Sequence, residues 1–180
     1  MSRDPTERTT SPPVLVGAAI ELHRVAPSDT EALLELWSSD PSVVERWPTW
    51  TPADIESVLA GEEGEAGWWI VLDGDRVGFI QHYQELDPEY LHAGMDMFLV
   101  AAAQGRGAGT DAVRTLARHL VHDLGHHRLV IDPAADNARA IRCYEKVGFR
   151  PVGIMRGYER GPDGTFHDSL LMDLLARELT

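Results

Sequence analysis

The sequence has little of what membrane and secreted proteins require. Cys143 is its only cysteine, so an intramolecular disulfide is excluded. The first residues lack the charged start and apolar core of a signal peptide, and no apolar run is long enough to span a bilayer. We therefore expect a cytoplasmic protein without a membrane partner.

Positive charge is also scarce. The chain has 16 Lys and Arg residues against 29 Asp and Glu residues, and its formal net charge is −13. A nucleic-acid partner would require a basic face, so none is expected. The charge balance instead favours a cationic small-molecule partner, because net charge acts on the steering of ligands rather than on the fold.

Length and composition are sufficient for one domain. The 180 residues are 43% hydrophobic and show no internal repeat, which predicts a single core. Met1 to Gly17 is rich in Ser, Thr, Pro and Arg without periodicity, so we expect a disordered N-terminal tail over 1–17 and one domain over 18–180. A monomer and a homodimer are both open.

The segment from Gln104 to Thr110 is the most informative stretch. It follows an apolar run and precedes an amphipathic segment, so it is predicted to join a strand to a helix. Gly105, Gly107 and Gly109 let the backbone adopt positive φ and approach a ligand, and the helix adds the unpaired N–H groups of its first turn. The segment suits a phosphate or pyrophosphate; the alternative is a solvated glycine loop.

The glycine spacing differs from two common phosphate signatures. Thr110 rather than lysine follows Gly109, and G-x-G-x-x-G is absent. The pattern Q-x-x-G-x-G after a strand resembles the acyl-CoA pyrophosphate loop of the GNAT superfamily of N-acetyltransferases. A second motif, N-x-x-A-x-x-x-Y-x-x-x-G-F from Asn137 to Phe149, is similar to the second CoA-contacting segment of that superfamily. Together they imply an α/β GNAT fold over roughly residues 18 to 176, a mixed and mostly antiparallel sheet flanked by helices, with splayed central strands that hold acyl-CoA.

A narrower resemblance points to the acceptor. Asp132-Pro133, the Asn137 motif, Gly94-Met95-Asp96 and Val44-Glu45-Arg46-Trp47 resemble aminoglycoside 6'-N-acetyltransferases. The resemblance implies acetyl-CoA as cosubstrate and direct transfer to the 6'-amino group of an aminoglycoside. The alternatives are an N-acetyltransferase for protein N-termini, lysine or another small amine, and a CoA-binding GNAT module without turnover.

Periodicity and turn signals predict seven strands and five helices. The strands are expected over Ala18–Val25, Trp68–Leu72, Arg76–Leu86, Leu91–Val100, Arg128–Ile131, Phe149–Tyr158 and Phe166–Leu174. The helices are expected from Pro27 to about Asp40, around Val43 to Trp47 with an end at Pro48, from Thr51 onward, from Gly107 to Gly125, and from Asp136 to about Lys146. Gly61 to Gly67 is expected to be an acidic loop.

Two residues are the candidate catalytic groups. Asp96 stands in an apolar strand, where a partly buried carboxylate can attract an ammonium group and take its proton. The resemblance places the family's catalytic Asp there; the alternative is an Asp on the solvent face or bonded to backbone. Tyr144 occupies the position of the GNAT acid, which protonates the departing thiolate, and its alternative is an ordinary core tyrosine.

The resemblance also implies binding residues. One backbone N–H of Leu99 or Val100 would polarise the thioester carbonyl. Further CoA contacts are expected from Gln104, Gly105, Arg106, Gly107, Ala108, Gly109, Thr110, Asn137, Arg139, Ala140 and Tyr144, and substrate contacts from Trp47, Tyr83, Asp96 and Asp132. Asn137 also suits a helix cap, and Asp132 a turn before proline.

Aromatic and histidine side chains give weaker indications. An aromatic wall is one interpretation of Trp47, Trp50, Trp68 and Trp69; core packing is the other, with only one of Trp68 and Trp69 expected to face inward. His122, His126 and His127 are interpreted as surface histidines, and no metal site is expected.

Overall fold

A computed structural model of the protein describes residues 12–47, 50–60 and 64–179, of which residue 60 is described by its backbone alone. Within them the strands are β1 (Val14–Val16), β2 (Ile20–Arg24), β3 (Ala66–Leu72), β4 (Asp75–Glu85), β5 (His92–Leu99), β6 (Arg128–Ile131), β7 (Arg150–Arg160) and β8 (Phe166–Leu175). These strands form one sheet in the order β1-β2-β3-β4-β5-β6-β8-β7.

Five α-helices flank the sheet in the described ranges. They are α1 (Thr30–Ser38), α2 (Pro41–Arg46), α3 (Pro52–Ala60), α4 (Ala108–Arg118), which continues as a π-helical turn over His119–Asp123, and α5 (Ala138–Glu145). The predicted helix end at Pro48 lies outside the described residues. No helix of the described ranges is long and apolar enough to cross a membrane.

The centre of the sheet holds its one parallel pair. All neighbouring strands pair antiparallel except β5 and β6, which pair only at Ala93 with Leu129 and at Gly94 with Val130. β5 then continues through Leu99 without a partner on that side, so the two strands diverge and leave a gap. The expected mixed, mostly antiparallel GNAT sheet with splayed central strands is confirmed.

A hydrophobic core lies on each face of the sheet. The core beneath α4 and α5 includes Leu22, Trp68, Ile80, Met95, Leu116, Leu129 and Met172. The core beneath α1, α2 and α3 includes Leu33, Val43, Trp50, Ile55, Trp69, Phe79 and Phe98. Trp68 and Trp69 are therefore both buried, on opposite faces, and the expectation that only one faces inward was wrong. Because side chains alternate along a strand, β3 fills both cores at once.

The ordered chain begins before the predicted boundary at residue 18. Val14–Val16 forms β1 and pairs with β2, so the predicted tail is wrong over these three residues; residues 1–11 lie outside the described ranges. The turn after β1 is held by Asp111 of α4, whose carboxylate accepts the N–H groups of Ala18, Ala19 and Ile20 at 3.1, 2.7 and 3.1 Å. Because Asp111 lies 91 to 93 positions later in the chain, no pattern in the sequence around β1 reveals this contact.

Two further expectations need correction. β3 starts at Ala66, so the predicted loop ends earlier than Gly67; residues 61–63 lie outside the described ranges. His126 is buried rather than on the surface, and its Nε2 donates to Oε1 of Gln84 at 2.6 Å.

Candidate active site

A cavity of about 720 Å³ fills the gap where β5 and β6 diverge. It has two parts. The donor half is formed by the glycine loop and α5, with Leu99, Gln104, Gly105, Gly107, Gly109, Thr110, Asn137, Arg139, Ala140, Arg142, Cys143, Tyr144 and Lys146. The acceptor half is formed by α2 and the strand residues around Asp96, with Ser42, Val43, Arg46, Trp47, Gln81, Asp132, Tyr158 and Glu159.

The glycine loop has the conformation that a phosphate cradle needs. Gly105 and Gly107 have φ of +76° and +86°, and a Cβ at either position would meet no atom within 4 Å. Gly107 is the residue from which α4 begins, so the unpaired N–H groups of the first helical turn open beside this empty space. The space and the N–H groups fit an anionic group of a ligand.

Two residues of the predicted loop point elsewhere. Arg106 pairs with Asp73 at 2.8 Å on the surface, and Ala108 is buried in the core beneath α4. Neither side chain lines the cavity, so a contact of either residue with CoA stays a prediction.

The end of β5 separates the two candidate backbone donors. Val100 donates its N–H to the carbonyl of Val77 at 3.0 Å. Hydrogen-bonded positions alternate along an antiparallel pair, so Leu99, paired opposite Gly78, turns its N–H away from β4 and toward the gap. On the same edge the Leu99 carbonyl accepts from Nε2 of Gln104 at 2.7 Å. Leu99 is therefore the candidate donor, and Val100 is not.

α5 presents cations and a capped N-terminus to the donor half. The side chain of Asn137 accepts the N–H of Ala140 at 3.1 Å, so Asn137 caps the helix while also lining the cavity. Arg139, Arg142 and Lys146 line it as well. In a chain of net charge −13, this positive wall favours an anionic ligand.

Tyr144 and Cys143 adjoin on α5. Tyr144 is 7% exposed, and burial, with Cys143 and the carboxylates of Asp96 and Asp132 nearby, raises the pKa of its phenol strongly. The phenol therefore keeps its proton at neutral pH and is available as a donor. Cys143 contacts Oγ1 of Thr110 at 3.3 Å, and burial raises the pKa of its thiol, as fits an unreactive thiol.

Three carboxylates converge in the acceptor half. Burial raises the pKa of Asp96, and the charge of Glu159 adds to the rise, while a hydrogen bond from Gln81, its cross-strand neighbour, opposes it. Burial, and then the charges of Asp96 and Glu159, raise the pKa of Asp132 to about 7. Burial likewise raises the pKa of Glu159. Such a cluster is stabilised when a cation enters it.

The aromatic groups of the acceptor half are fewer than predicted. Trp47 lines the cavity and packs edge-on against Phe98, with ring centroids 5.8 Å apart. Trp50 lies behind Trp47 at 5.4 Å and is buried. Tyr83 does not line the cavity; it pairs with Gly94 and lies two residues along β4 from Gln81, the partner of Asp96. Burial and the charges of Asp96 and Asp132 raise the pKa of Tyr83 to about 12.

Comparison with known proteins decides the family. Residues 20–150 match a family model described as an acetyltransferase (GNAT) domain. The chain is a member of the GNAT family. This GNAT acetyltransferase is 34% identical to aminoglycoside N(6')-acetyltransferase type 1 of Klebsiella pneumoniae over 154 residues, which cover 74% of this chain and 73% of the relative.

Two solved structures are similar to the GNAT acetyltransferase over most of its length. A structure of AAC(6')-Ib in complex with ribostamycin and coenzyme A has a TM-score of 0.71 at 30% identity, and the match covers 89% of this chain and 95% of that one. Mycobacterium smegmatis RimJ in complex with CoA-disulfide has a TM-score of 0.78 and covers 93% and 88%; at 23% identity it shows the shared fold alone. The protein is thus an enzyme that transfers acetyl groups.

Several cavity residues of the GNAT acetyltransferase were missed in the sequence. Gln81 was recoverable, because a polar residue opposite Asp96 in an antiparallel hairpin shares its face. Glu159 comes from the far end of β7, and no spacing relates it to the motifs. Arg46 stands in the stretch Val44-Glu45-Arg46-Trp47, of which only Trp47 was assigned a substrate contact. Within the described residues, no group of three or more His, Cys, Asp or Glu side chains is arranged to hold a metal ion.

Proposed function

We propose that this GNAT acetyltransferase uses acetyl-CoA to acetylate a primary amine directly, and that the acceptor is the 6'-amino group of an aminoglycoside. The observation that carries the proposal is the distribution of charge in the cavity. Asp96, Asp132 and Glu159 line the acceptor half, whereas α5 supplies cations to the donor half. An anionic cosubstrate and a cationic acceptor are the two ligands that such a cavity attracts.

Acetyl-CoA fits the donor half on observations of this chain. The open space above Gly105 and Gly107 and the first turn of α4 suit the pyrophosphate, and Arg139 on α5 adds positive charge. The N–H of Leu99 faces the gap and is the donor for a carbonyl oxygen. When bound, acetyl-CoA supplies an acetyl thioester with a good leaving group.

The acceptor carboxylates manage the proton of the amine. An alkyl ammonium has a pKa of roughly 10, so it enters protonated and must lose a proton before it can attack. We assign the proton-accepting role to Asp96, at the centre of the gap, and the holding of the ammonium group to Asp132. Their interaction means that the two carboxyls titrate as a pair. Burial keeps the proton on Tyr144, which donates it to the departing sulfur.

The aminoglycoside as acceptor rests on charge and on similarity. Three carboxylates in one half of the cavity exceed what a single ammonium group needs, which suits an acceptor with several. Trp47 offers an aromatic face for a sugar ring or a cation. The relatives named for aminoglycoside acetylation are 34% and 30% identical to this chain over the aligned residues.

The test is thiol release from acetyl-CoA with neomycin, which carries an amino group at the 6' position, and with paromomycin, which carries a hydroxyl group there. Spermidine and an N-terminal peptide complete the panel, and mass spectrometry locates the acetyl group. We expect turnover on neomycin with the acetyl group on the 6'-nitrogen, and none on paromomycin. Turnover confined to spermidine or the peptide would refute the acceptor while leaving the acetyl transfer intact. Asp96→Asn should lower turnover by a factor of about 10² to 10⁴ and retain CoA binding.

A further inference from the structure

α2 lines the acceptor half with Ser42, Val43 and Arg46, and the place where Arg46 meets Asp136, next to the lining residue Asn137, is called the mouth of this half. The helix is fastened at its beginning. The carboxylate of Asp40 accepts the N–H and hydroxyl of Ser42 at 3.0 and 2.7 Å, and the N–H of Ala101 at 2.5 Å. Ala101 follows the end of β5, so this link joins the first turn of α2 to the segment that leads into the glycine loop.

Packing fixes the far end of α2 as well. Val43 is 3% exposed in the core beneath α1 and α3, and Nε1 of Trp37 donates to the carbonyl of Trp47 at 3.0 Å. The Trp47 ring rests on Phe98. Since these contacts hold both ends of α2, its position does not depend on the side chain of Arg46.

Arg46 nevertheless makes an ion pair across the mouth. Its Nη1 lies 2.6 Å from Oδ1 of Asp136, a residue 90 positions later that directly precedes the cap of α5. The Asp136 side chain is 77% exposed and that of Arg46 49%, so water competes for both partners and the pair contributes little net stability. Replacement of Arg46 on Asp136 by another cation therefore costs little free energy.

The charges of Arg46 and Asp136 act on the carboxylates of the acceptor half. After burial, which raises the pKa of Glu159, the charge of His167 and then that of Arg46 lower it and the charge of Asp136 raises it. An acceptor whose reacting ammonium group sits at Asp96 and Asp132 would bring its other ammonium groups to this mouth. There Arg46 repels them while it stays on Asp136, and Asp136 attracts them once Arg46 turns to solvent.

We propose that the Arg46–Asp136 ion pair determines acceptor specificity: an ammonium group of the acceptor replaces Arg46 on Asp136, so that the cavity selects amines with at least two ammonium groups. The inference rests on the proposed function, since it assumes an amine in the acceptor half. It assigns Asp136 as a second ammonium site, which the guanidinium of Arg46 fills in the free protein. Arg46 thus acts as an internal competitor of the substrate.

The test is a double-mutant cycle with Arg46→Gln, Asp136→Asn and the double variant. The acceptors are neamine, with four amino groups, and methyl 6-amino-6-deoxyglucoside, with one. Arg46→Gln should raise kcat/KM for neamine about fivefold, and Asp136→Asn should lower it by a similar factor, as for exposed charge pairs. For each variant the factor for neamine should exceed the factor for the monoamine severalfold, because only a second ammonium group reaches Asp136. Arg150→Gln, which removes the Arg150–Glu178 pair at 3.3 Å away from the cavity, is the matched control and should change neither acceptor.

The double variant distinguishes exchange from a general field effect. If Arg46 acts by occupying Asp136, Arg46→Gln should bring no gain in the Asp136→Asn background. Equal changes for both acceptors, or additive effects of the two substitutions, would overturn the inference. If neither amine is acetylated, the proposed function fails; the same cycle is then measured as calorimetric binding of spermidine against propylamine, where the same pattern supports the exchange and its absence refutes it.

Discussion

The dependence of acetylation on pH tests the acidic half of the cavity directly. The pKa of Asp132 is raised to about 7, first by burial and then by the charges of Asp96 and Glu159. If ionised Asp132 holds the ammonium group, kcat/KM follows its ionised fraction, which is about 90% at pH 8, about 50% at pH 7 and about 9% at pH 6. The rate should therefore fall about tenfold from pH 8 to pH 6, whereas a carboxyl with an ordinary pKa near 4 would give no change.

The fall in kcat/KM toward acidic pH is the acid limb of the profile, and substitutions identify the carboxyls that cause it. Glu159→Gln removes one charge that raises the pKa of Asp132, so the limb should move to lower pH. Asp132→Asn should lower kcat/KM and remove the part of the limb centred near pH 7, so that only the titration of its partner Asp96 remains. Glu89→Gln, in an exposed turn outside the cavity, is the control. Initial rates of thiol release with neamine from pH 5.5 to 8.5 at constant ionic strength give the profiles. A flat wild-type profile below pH 7.5, or an unmoved limb in Glu159→Gln, would refute the reasoning.

Three other substitutions test single parts of the structure. Asp96→Asn should lower kcat by a factor of about 10² to 10⁴ without changing CoA affinity measured by calorimetry, because it removes the proton acceptor alone; undiminished turnover would exclude that role. Gly107→Ala forces a left-handed conformation on alanine at φ +86° and should lower the free energy of unfolding by about 1–2 kcal/mol. It also places a methyl group in the phosphate cradle, so an unchanged KM for acetyl-CoA would contradict the cradle. Burial, and then the nearby charges of His119, Arg24 and His126, lower the pKa of His82 to about 3. Below the pKa of His82 in the unfolded chain, the unfolded chain therefore binds more protons than the folded one, and the free energy of unfolding falls as pH falls. From pH 7.5 to 5 that loss is about 2 kcal/mol, which His82→Leu should not show in denaturant titrations; equal losses would disprove the assignment.

Local patterns made the donor half predictable. The glycines at 105 and 107 and the cap at Asn137 act through the backbone of their own segments, so spacing alone identifies them. The parallel pairing of β6 was predictable for the same reason, since a short apolar strand after a helix is typical of a central parallel strand. These features depend on few distant contacts.

Directions of side chains and distant neighbours were not predictable in this way. Trp68 and Trp69 are both buried because helices cover both faces of β3, a tertiary fact that alternation along the strand does not reveal. Arg106 pairs with Asp73 and Ala108 is buried in the core, and the spacing of the glycines reveals neither contact. Glu159 reaches the carboxylate cluster only through the pairing of β7 with β8 at the edge of the sheet.

The divergence of β5 from β6 links the two halves of the cavity. Gly94 is the last residue of β5 that pairs with β6, and the ring of Tyr83 occupies the place that a Cβ at Gly94 would take. Just beyond this point Asp96 on β5 and Asp132, the residue after β6, both line the gap, and their charges interact. Both carboxyls lie at the gap that admits the donor, and burial there raises the pKa of each, that of Asp132 to about 7. Shape and acid–base chemistry in this site have one structural cause.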